Sequence, residues 1–196
     1  MSTMTKTKEE LCQILSYESG IYKKLMPSTI GGRICAWIKS VQILSLSSWI
    51  ASSRKMDYYK YKKEISSNPL YSILYLYYAR KTNKLCQKLN MEISTEKIGK
   101  GLTIYHPTGI VVNGNAVIGE NCHFHGNNCI GNSGIDTMAC PVLGDNIMLG
   151  VGSKIIGDVR LANNIKVGAG AVVVSSFLEE GITIAGVPAK KIEKRG

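Results

Sequence analysis

The sequence predicts a mainly β fold, a solenoid of short stacked coils, preceded by an α-helical N-terminal region. Two observations lead to this prediction. Apolar residues beyond residue 96 recur every six positions, and the two halves of the chain differ in charge, glycine and tyrosine. Because these three differences coincide near residue 90, we predict a basic helical region at 1–90 and a β domain at 91–196.

The compositional boundary is sharp. Residues 1–90 contain 15 of the 24 Lys and Arg but only five of the 14 Asp and Glu, so the whole formal charge of +10 belongs to this half. Nine of the ten tyrosines also lie there, whereas 17 of the 20 glycines lie beyond it. Glycine-rich sequence is typical of tight turns and not of helices, so the halves are expected to differ in secondary structure.

The first half has the periodicity of helices. Apolar residues at three- and four-residue spacing predict helices over 9–22 and 30–51. Asn68 as N-cap and Pro69 in the first turn predict a further helix over 70–89.

A basic, tyrosine-rich stretch lies between these helices. Arg54–Lys63 interleaves lysine with three tyrosines. Such a surface can bind nucleic acid, because basic side chains contact phosphate and aromatic rings stack on bases. We favour the alternative, a solvated surface that also meets an anionic substrate or a partner chain.

The second half contains an internal six-residue repeat. If each hexad is a short strand plus a tight turn, three hexads close a triangular coil with one apolar side chain per face pointing inward. Glycines follow several of these apolar positions, where we expect a sharp turn to exclude a β-carbon. The repeat runs through Ile98, Ile104, Ile110, Val112, Ile118, Phe124, Ile130, Leu143, Leu149, Ile155, Leu161, Val167 and Val173.

Two breaks in the repeat predict irregular segments. The phase changes between Ile110 and Val112, and the step from Ile130 to Leu143 is 13 residues where two hexads would give 12. The second break predicts a loop that leaves the coil around 132–140. Irregular loops on a regular scaffold commonly carry function.

Three stretches of this half resemble a known family. They are His106–Val112 (HPTGIVV), Asn113–Gly119 (NGNAVIG) and Ala185–Lys190 (AGVPAK). Together with the repeat, they resemble the hexapeptide-repeat acyltransferases, in particular serine acetyltransferases and the related acetyltransferases of capsule and surface-polysaccharide assembly. The resemblance extends over roughly 54–193. It implies a left-handed parallel β-helix, an O-acetyltransferase activity with acetyl-CoA as co-substrate, no tightly bound cofactor, and a homotrimer.

The resemblance also implies which residues are catalytic. Acetyl transfer to an alcohol needs a base for the hydroxyl proton, a donor for the developing oxyanion and a groove for coenzyme A. His106 matches the family's general base, and an imidazole is largely neutral at pH 7 and able to accept a proton. Glu92 is the expected carboxylate partner, after a one-residue gap in the match. A backbone-bonded histidine and an ordinary surface glutamate remain the structural alternatives.

Three further residues are expected to contact the acceptor: Tyr105, His125 and Cys140. Serine acetyltransferases have an aspartate before the catalytic histidine and a second histidine in the protruding loop, and here Tyr105 and Cys140 occupy those positions. We therefore predict a hydroxyl on a sugar or a sugar-linked precursor as acceptor, with L-serine as the alternative. His123 alternates with the inward Phe124 and is expected to be exposed and inert.

Two groups of residues are expected to bind coenzyme A. The first matches the family's small-residue turns along the pantetheine arm, and the second is basic and could meet the phosphates. Tight coil corners and surface lysines are the structural alternatives. The two groups are Gly150, Val151, Gly152, Gly168 and Ala169, and Lys190 and Lys191.

Several function classes are disfavoured by composition. The six cysteines form no C-x-x-C pair, so neither a metal site nor a disulfide framework is expected. No apolar run approaches the ~20 residues of a membrane helix, and no export signal is seen, so a cytoplasmic protein without a membrane span or a nucleic-acid partner is expected. A non-catalytic β-helix that binds a polyanion or a protein through its basic half is the alternative from a different class.

Overall fold

The computed structural model describes residues 5–38, 42–134 and 139–192. The chain divides into two compact units, Met1–Leu89 and Asn90–Gly196. The first contains the helices and the second contains the strands.

Helices form where the apolar periodicity predicts them, with one difference. The described helices are α1 (Lys8–Lys24), α2 (Ile30–Ile38), α3 (Gln42–Ile65) and α4 (Pro69–Leu89). The helix predicted over 30–51 corresponds to α2 and the first part of α3, and residues 39–41 between them lie outside the described residues. The basic tyrosine-rich stretch is the C-terminal part of α3.

Local signals explain where two of these helices begin. Thr7 and Glu10 form a capping box at the start of α1, each side chain accepting a hydrogen bond from the other residue's backbone N–H. At the start of α4 the Asn68 Oδ1 accepts a hydrogen bond of 2.9 Å from the backbone N–H of Leu70. The predicted N-cap is therefore confirmed.

A buried ion pair joins α1 to α3. Arg54 donates from Nη2 to Glu18 Oε1 at 2.8 Å, and its Nε also reaches both carboxylate oxygens. The side chains are 4% and 1% exposed. Two charges removed from water in this way depend on each other, because either one alone would remain uncompensated.

The second unit consists of short strands. They are β1 (Met91–Glu92), β2 (Thr103–Ile104), β3 (Ile110–Val112), β4 (Val117–Ile118), β5 (His123–Phe124), β6 (Cys129–Gly131), β7 (Val142–Leu143), β8 (Met148–Leu149), β9 (Lys154–Ile156), β10 (Arg160–Leu161), β11 (Lys166–Val167), β12 (Val172–Val173), β13 (Thr183–Gly186) and β14 (Ala189–Lys191).

These strands build three parallel faces. The first face is β1-β3-β6-β9-β12, the second is β4-β7-β10, and the third is β2-β5-β8-β11-β13, with β14 antiparallel at its end. From β2 to β9 each strand pairs with the strand three places further along the chain, so three strands make one coil. The parallel coil predicted from the hexads is therefore confirmed.

The apolar repeat forms the core of this solenoid. All thirteen repeat positions are at most 5% exposed, and eight of them are 0% exposed. Their branched and aromatic side chains fill the inside of the coils, while the alternate positions of the strands face outward. This explains why the repeat has a period of six and not the simple alternation of a flat sheet.

One loop is longer than the sequence suggested. Val117 on β4 pairs with Val142 on β7, an offset of 25 residues, whereas Val142 pairs with Arg160 on β10 at an offset of 18. Seven additional residues therefore lie between Gly131 and Val142. The position of this loop is predicted correctly from the sequence, but its length is not. The 13-residue step is one hexad plus seven residues, and not two hexads plus one.

Within the described helices, none is both long and apolar enough to cross a membrane.

Breaking the buried ion pair should strongly destabilise the helical unit. We expect Glu18→Gln to lower the free energy of unfolding by about 3 to 5 kcal/mol, because the Arg54 guanidinium would remain buried without its counter-charge. The measurement is urea unfolding followed by circular dichroism.

The matched control is the surface pair of Lys191 and Glu179, whose side chains are 48% and 61% exposed. Glu179→Gln should change stability by about 1 kcal/mol or less. Equal effects of the two substitutions would contradict this account of the buried pair.

Candidate active site

The turn between β2 and β3 is enlarged. Thr103 on β2 pairs with His123, an offset of 20 residues, but Val111 on β3 pairs with Cys129, an offset of 18. This turn is therefore two residues longer than its counterpart in the next coil, which accounts for the phase change seen in the sequence. His106 lies within the enlarged turn, and it is exposed.

Gly126 lies directly against His106 on the next coil. Its φ is +110°, and a β-carbon there would be 2.6 Å from the backbone oxygen of His106 and 3.0 Å from its Cβ. The fully buried Asn128 accepts a hydrogen bond from the Gly126 N–H at 2.9 Å and donates to Gly150 O and Ser153 Oγ. The backbone that supports His106 is thus fixed by a buried amide.

Tyr105 and His125 stack beside this turn. Their ring centroids are 4.8 Å apart with an interplanar angle of 20°. The His125 Nδ1 lies 2.9 Å from the carbonyl oxygen of Leu149. Since a carbonyl only accepts, Nδ1 carries the proton and Nε2 of the neutral ring has a free lone pair.

His123 belongs to the same cluster, contrary to the sequence-based expectation. It is half-buried rather than exposed, and its Nδ1 is 3.3 Å from the Tyr105 hydroxyl oxygen. Burial lowers the pKa of His123 below the ordinary 6.5, and the neighbouring His125 lowers it further. We refer to Tyr105, His123 and His125 as the imidazole–tyrosine cluster.

Glu92 is exposed on the first face. It pairs in register with Val111, on the strand that follows the enlarged turn. Both Glu92 and His106 lie in the described part of the chain, and no hydrogen bond or ion pair joins them there. The structure brings them onto neighbouring coils but does not join them by a hydrogen bond.

Cys140 is only 7% exposed. A buried thiol offers an acceptor little accessible surface, so the structure gives no support to an acceptor contact at this position. Residues 135–138 of the same loop lie outside the described residues.

A strip of small residues continues from His106 along the same corner of the later coils. The Gly152 N–H donates to Gly126 O at 3.0 Å, and the Gly170 N–H donates to Val151 O at 2.8 Å. Val151 is 50% exposed, and a β-carbon at Gly170 would meet no atom within 4 Å. We call Gly126, Val151, Gly152, Ala169 and Gly170 the corner strip.

Gly150 and Gly168 have a structural explanation of their own. A β-carbon at Gly150 would be 2.6 Å from the backbone nitrogen of Ala169, and one at Gly168 would be 2.7 Å from the Cβ of Ala185. Close stacking of the coils excludes a side chain at both positions, and neither has a positive φ. From the sequence, these two glycines are expected at sharp turns. The structure attributes them instead to the close approach of the neighbouring coil.

The two C-terminal lysines differ in their surroundings. Lys191 Nζ lies 2.6 Å from both carboxylate oxygens of Glu179, whereas Lys190 is exposed on the same strand. An anion would have to compete with Glu179 for Lys191. Among the described residues, no group of three or more His, Cys, Asp or Glu could hold a metal ion.

Comparisons with known proteins agree with this architecture. No protein-family model matches the chain. The chain is 38% identical over 87 residues to the putative colanic acid biosynthesis acetyltransferase WcaB of Escherichia coli K12. The matched region covers 44% of this chain and 54% of WcaB. It is 33% identical over 101 residues to a Staphylococcus epidermidis serine acetyltransferase, covering 51% of this chain and 47% of that protein.

Solved structures extend the similarity to the fold. The Neisseria gonorrhoeae serine acetyltransferase matches with a TM-score of 0.66 at 22% identity, covering 95% of this chain and 68% of that one. A soybean serine acetyltransferase complexed with serine matches with a TM-score of 0.62 at 24% identity, over 93% and 69%.

The chain resembles serine acetyltransferases and WcaB. The resemblance read from the sequence is therefore confirmed. The chain spans about half the length of the curated relatives that it matches.

Proposed function

We propose that this protein is an acetyl-CoA-dependent O-acetyltransferase that acetylates a hydroxyl on a sugar or a sugar-linked precursor. One observation carries the proposal: an exposed imidazole, His106, lies on an enlarged turn at the head of the corner strip and beside the imidazole–tyrosine cluster. The named relatives, which are acetyltransferases, support the same chemistry.

His106 acts as the general base in this proposal. Its neutral ring takes the proton of the acceptor hydroxyl as that oxygen attacks the thioester carbonyl carbon. The carbon–sulfur bond then breaks, and the imidazolium returns the proton to the departing thiolate. The products are an acetyl ester and coenzyme A, and positioned proton transfer of this kind contributes about 10²- to 10⁴-fold.

Glu92 is the proposed carboxylate partner that orients the His106 ring. Its strand neighbours the strand that follows the enlarged turn, which keeps the two residues on adjacent coils. Catalytic hydrogen bonds are often long before substrate binds, and we expect the one between Glu92 and His106 to form in the complex.

The corner strip is the proposed site of the pantetheine arm. Successive coils are about 4.8 Å apart, so the strip extends roughly 14 Å from His106 over three coils. Its small side chains let a thin, flexible arm lie against the backbone. Gly150 and Gly168 shape this surface by letting the coils stack closely, and Lys190 is better placed than Lys191 to meet a phosphate.

We further propose a left-handed coil and a homotrimer. The hand follows from the resemblance and is unusual for parallel crossovers. The trimer is supported by exposed valines on the first face and its corners, namely Val111, Val151 and Val174, which are 42%, 50% and 54% exposed. A second chain packed there would supply the outer wall of the coenzyme groove.

L-Serine is the alternative acceptor, because several relatives are named serine acetyltransferases. Tyr105 and the buried Cys140 favour the sugar. Neither can neutralise a charged group, whereas recognition of a zwitterionic amino acid normally requires charged partners.

The acceptor can be identified by thiol release from acetyl-CoA. We expect turnover with at least one of UDP-N-acetylglucosamine, UDP-galactose and GDP-mannose, at a kcat/KM at least tenfold above that for L-serine. Reactions without acceptor control for hydrolysis.

Turnover on L-serine at about 10⁴ M⁻¹s⁻¹ or more, with none on the sugar nucleotides, would establish the alternative. An absence of thiol release with every acceptor, together with salt-sensitive binding of polyanions, would instead favour the non-catalytic interpretation.

Removing the base should abolish most of the turnover. We expect His106→Ala to lower kcat by about 10² to 10⁴, while coenzyme A affinity and oligomeric state, measured by calorimetry and sedimentation velocity, stay close to those of the original protein. Retention of turnover would remove His106 from this role.

Displacing the base should have a related effect. Gly126→Ala places a β-carbon against His106, and we expect kcat/KM to fall at least tenfold. The matched control is Gly181→Ala: Gly181 also has a positive φ, +72°, but no atom lies within 4 Å of its β-carbon position. Both variants carry backbone strain, so equal losses of activity would show that strain and not His106 is responsible.

A further inference from the structure

His123 makes a contact that the proposed mechanism does not use. Its ring lies 6.0 Å from that of Tyr105, at an interplanar angle of 19°, and its Nδ1 is 3.3 Å from the phenolic oxygen. Among the described histidines, only His123 has a ring nitrogen within hydrogen-bonding distance of another side chain. That side chain, Tyr105, faces the candidate acceptor site.

The parallel register produces this arrangement. Ile104 pairs with Phe124 across β2 and β5, so the outward-facing Tyr105 follows on one coil and His125 on the next. His123 stands two residues earlier on the same outer surface. The Tyr105 phenol, 38% exposed, therefore reaches diagonally back to His123 while its ring stacks on His125.

The surroundings of His123 favour its neutral form. Thr103 on β2 and Met148 on β8 pair with His123. Tyr105 directly follows β2, and His125 directly follows the strand of His123. None of these is a carboxylate, and the next residue in the column is the cation Lys166. In the neutral tautomer that carries its proton on Nε2, His123 accepts a hydrogen bond from the Tyr105 hydroxyl at Nδ1.

The Tyr105 hydroxyl oxygen and the His125 Nε2 then both act as hydrogen-bond acceptors towards the acceptor site. With its O–H donated to His123 in this tautomer, the Tyr105 oxygen presents lone pairs to the acceptor site. The His125 Nε2 does the same, because its Nδ1–H is bonded to Leu149 O. Two neighbouring acceptor atoms suit a ligand that donates two hydrogen bonds, as adjacent hydroxyls of a sugar do, and they disfavour a carboxylate.

We propose that His123 is a positioning and specificity residue, which orients the Tyr105 hydroxyl so that Tyr105 and His125 together accept hydrogen bonds from two hydroxyls of a sugar acceptor. The inference rests on the proposed acetyl transfer and specifies its acceptor as a neutral polyol. His123 acts through Tyr105 and does not touch the reacting atoms.

The test compares three single variants and one double variant, using the sugar nucleotide with the highest turnover in the panel above. Tyr105→Phe removes the hydroxyl, His123→Phe removes its partner while keeping a ring, and His123→Asn supplies an amide oxygen near the Nδ1 position. Thermal melting of each variant checks that it folds.

The expected result is a change in KM. Tyr105→Phe and His123→Phe should each raise the acceptor KM about tenfold, the effect of losing one hydrogen bond, with a smaller effect on kcat. The double variant should be no worse than either single one, and His123→Asn should restore most of the loss.

The pH dependence gives a second readout. Protonation turns His123 Nδ1 into a donor, so the acceptor KM of the original protein should rise as the pH falls through the pKa of His123, below 6.5. In Tyr105→Phe and His123→Asn the KM should lack this rise, since neither retains the titrating pair.

Other outcomes overturn the proposal in distinguishable ways. Turnover on a sugar with an unchanged KM in His123→Phe, or additive losses in the double variant, would remove the role of His123 and leave the proposed function standing. Turnover on L-serine alone would refute the polyol acceptor. An absence of turnover on every hydroxyl acceptor tested would refute both the proposed function and this inference.

Discussion

The parallel register between coils determines the neighbours of every side chain in the β domain. Backbone hydrogen bonding keeps strands about 4.8 Å apart, and the offset in residues decides which side chains are stacked across that distance. At the regular offset of 18, seen where Val142 pairs with Arg160, equivalent positions of successive hexads form straight columns. Inward columns are filled by aliphatic and aromatic side chains, whereas outward columns can contain polar and functional side chains.

The candidate site residues lie where this regularity is interrupted. The two additional residues between Ile104 and Ile110 change the local offset to 20, so Tyr105 stacks on His125 and reaches His123 only diagonally. The same insertion holds His106 on the outside of the coil. The enlarged turn between β2 and β3 can thus hold the proposed base and the proposed acceptor-recognising cluster on a rigid core.

The electrostatic character of the site follows from its composition. Tyr105, His123 and His125 provide hydrogen-bonding atoms without a fixed charge, and burial keeps His123 neutral near pH 7. Such a surface is suited to an uncharged polyol. The basic character of the protein belongs instead to residues 1–90, so the net charge of +10 says little about the acceptor.

Much of the fold could be predicted from the sequence, because inward positions require branched or aromatic residues and so record the six-residue period directly. The helix beginning at Pro69 could be predicted because its cap depends on adjacent residues. The contact between His123 and Tyr105 could not, since it is set by an offset between coils. The phase change at Val112 is the sequence signal of that offset. The burial of Cys140 and the pairing of Lys191 with Glu179 likewise depend on tertiary contacts.

The most direct measurement is a crystal structure of the protein with coenzyme A. The account predicts that the pantetheine arm lies along the corner strip, with the thiol within hydrogen-bonding distance of the His106 imidazole and a second subunit forming the outer wall of the groove. Coenzyme A bound on another face, with its thiol remote from His106, would contradict it.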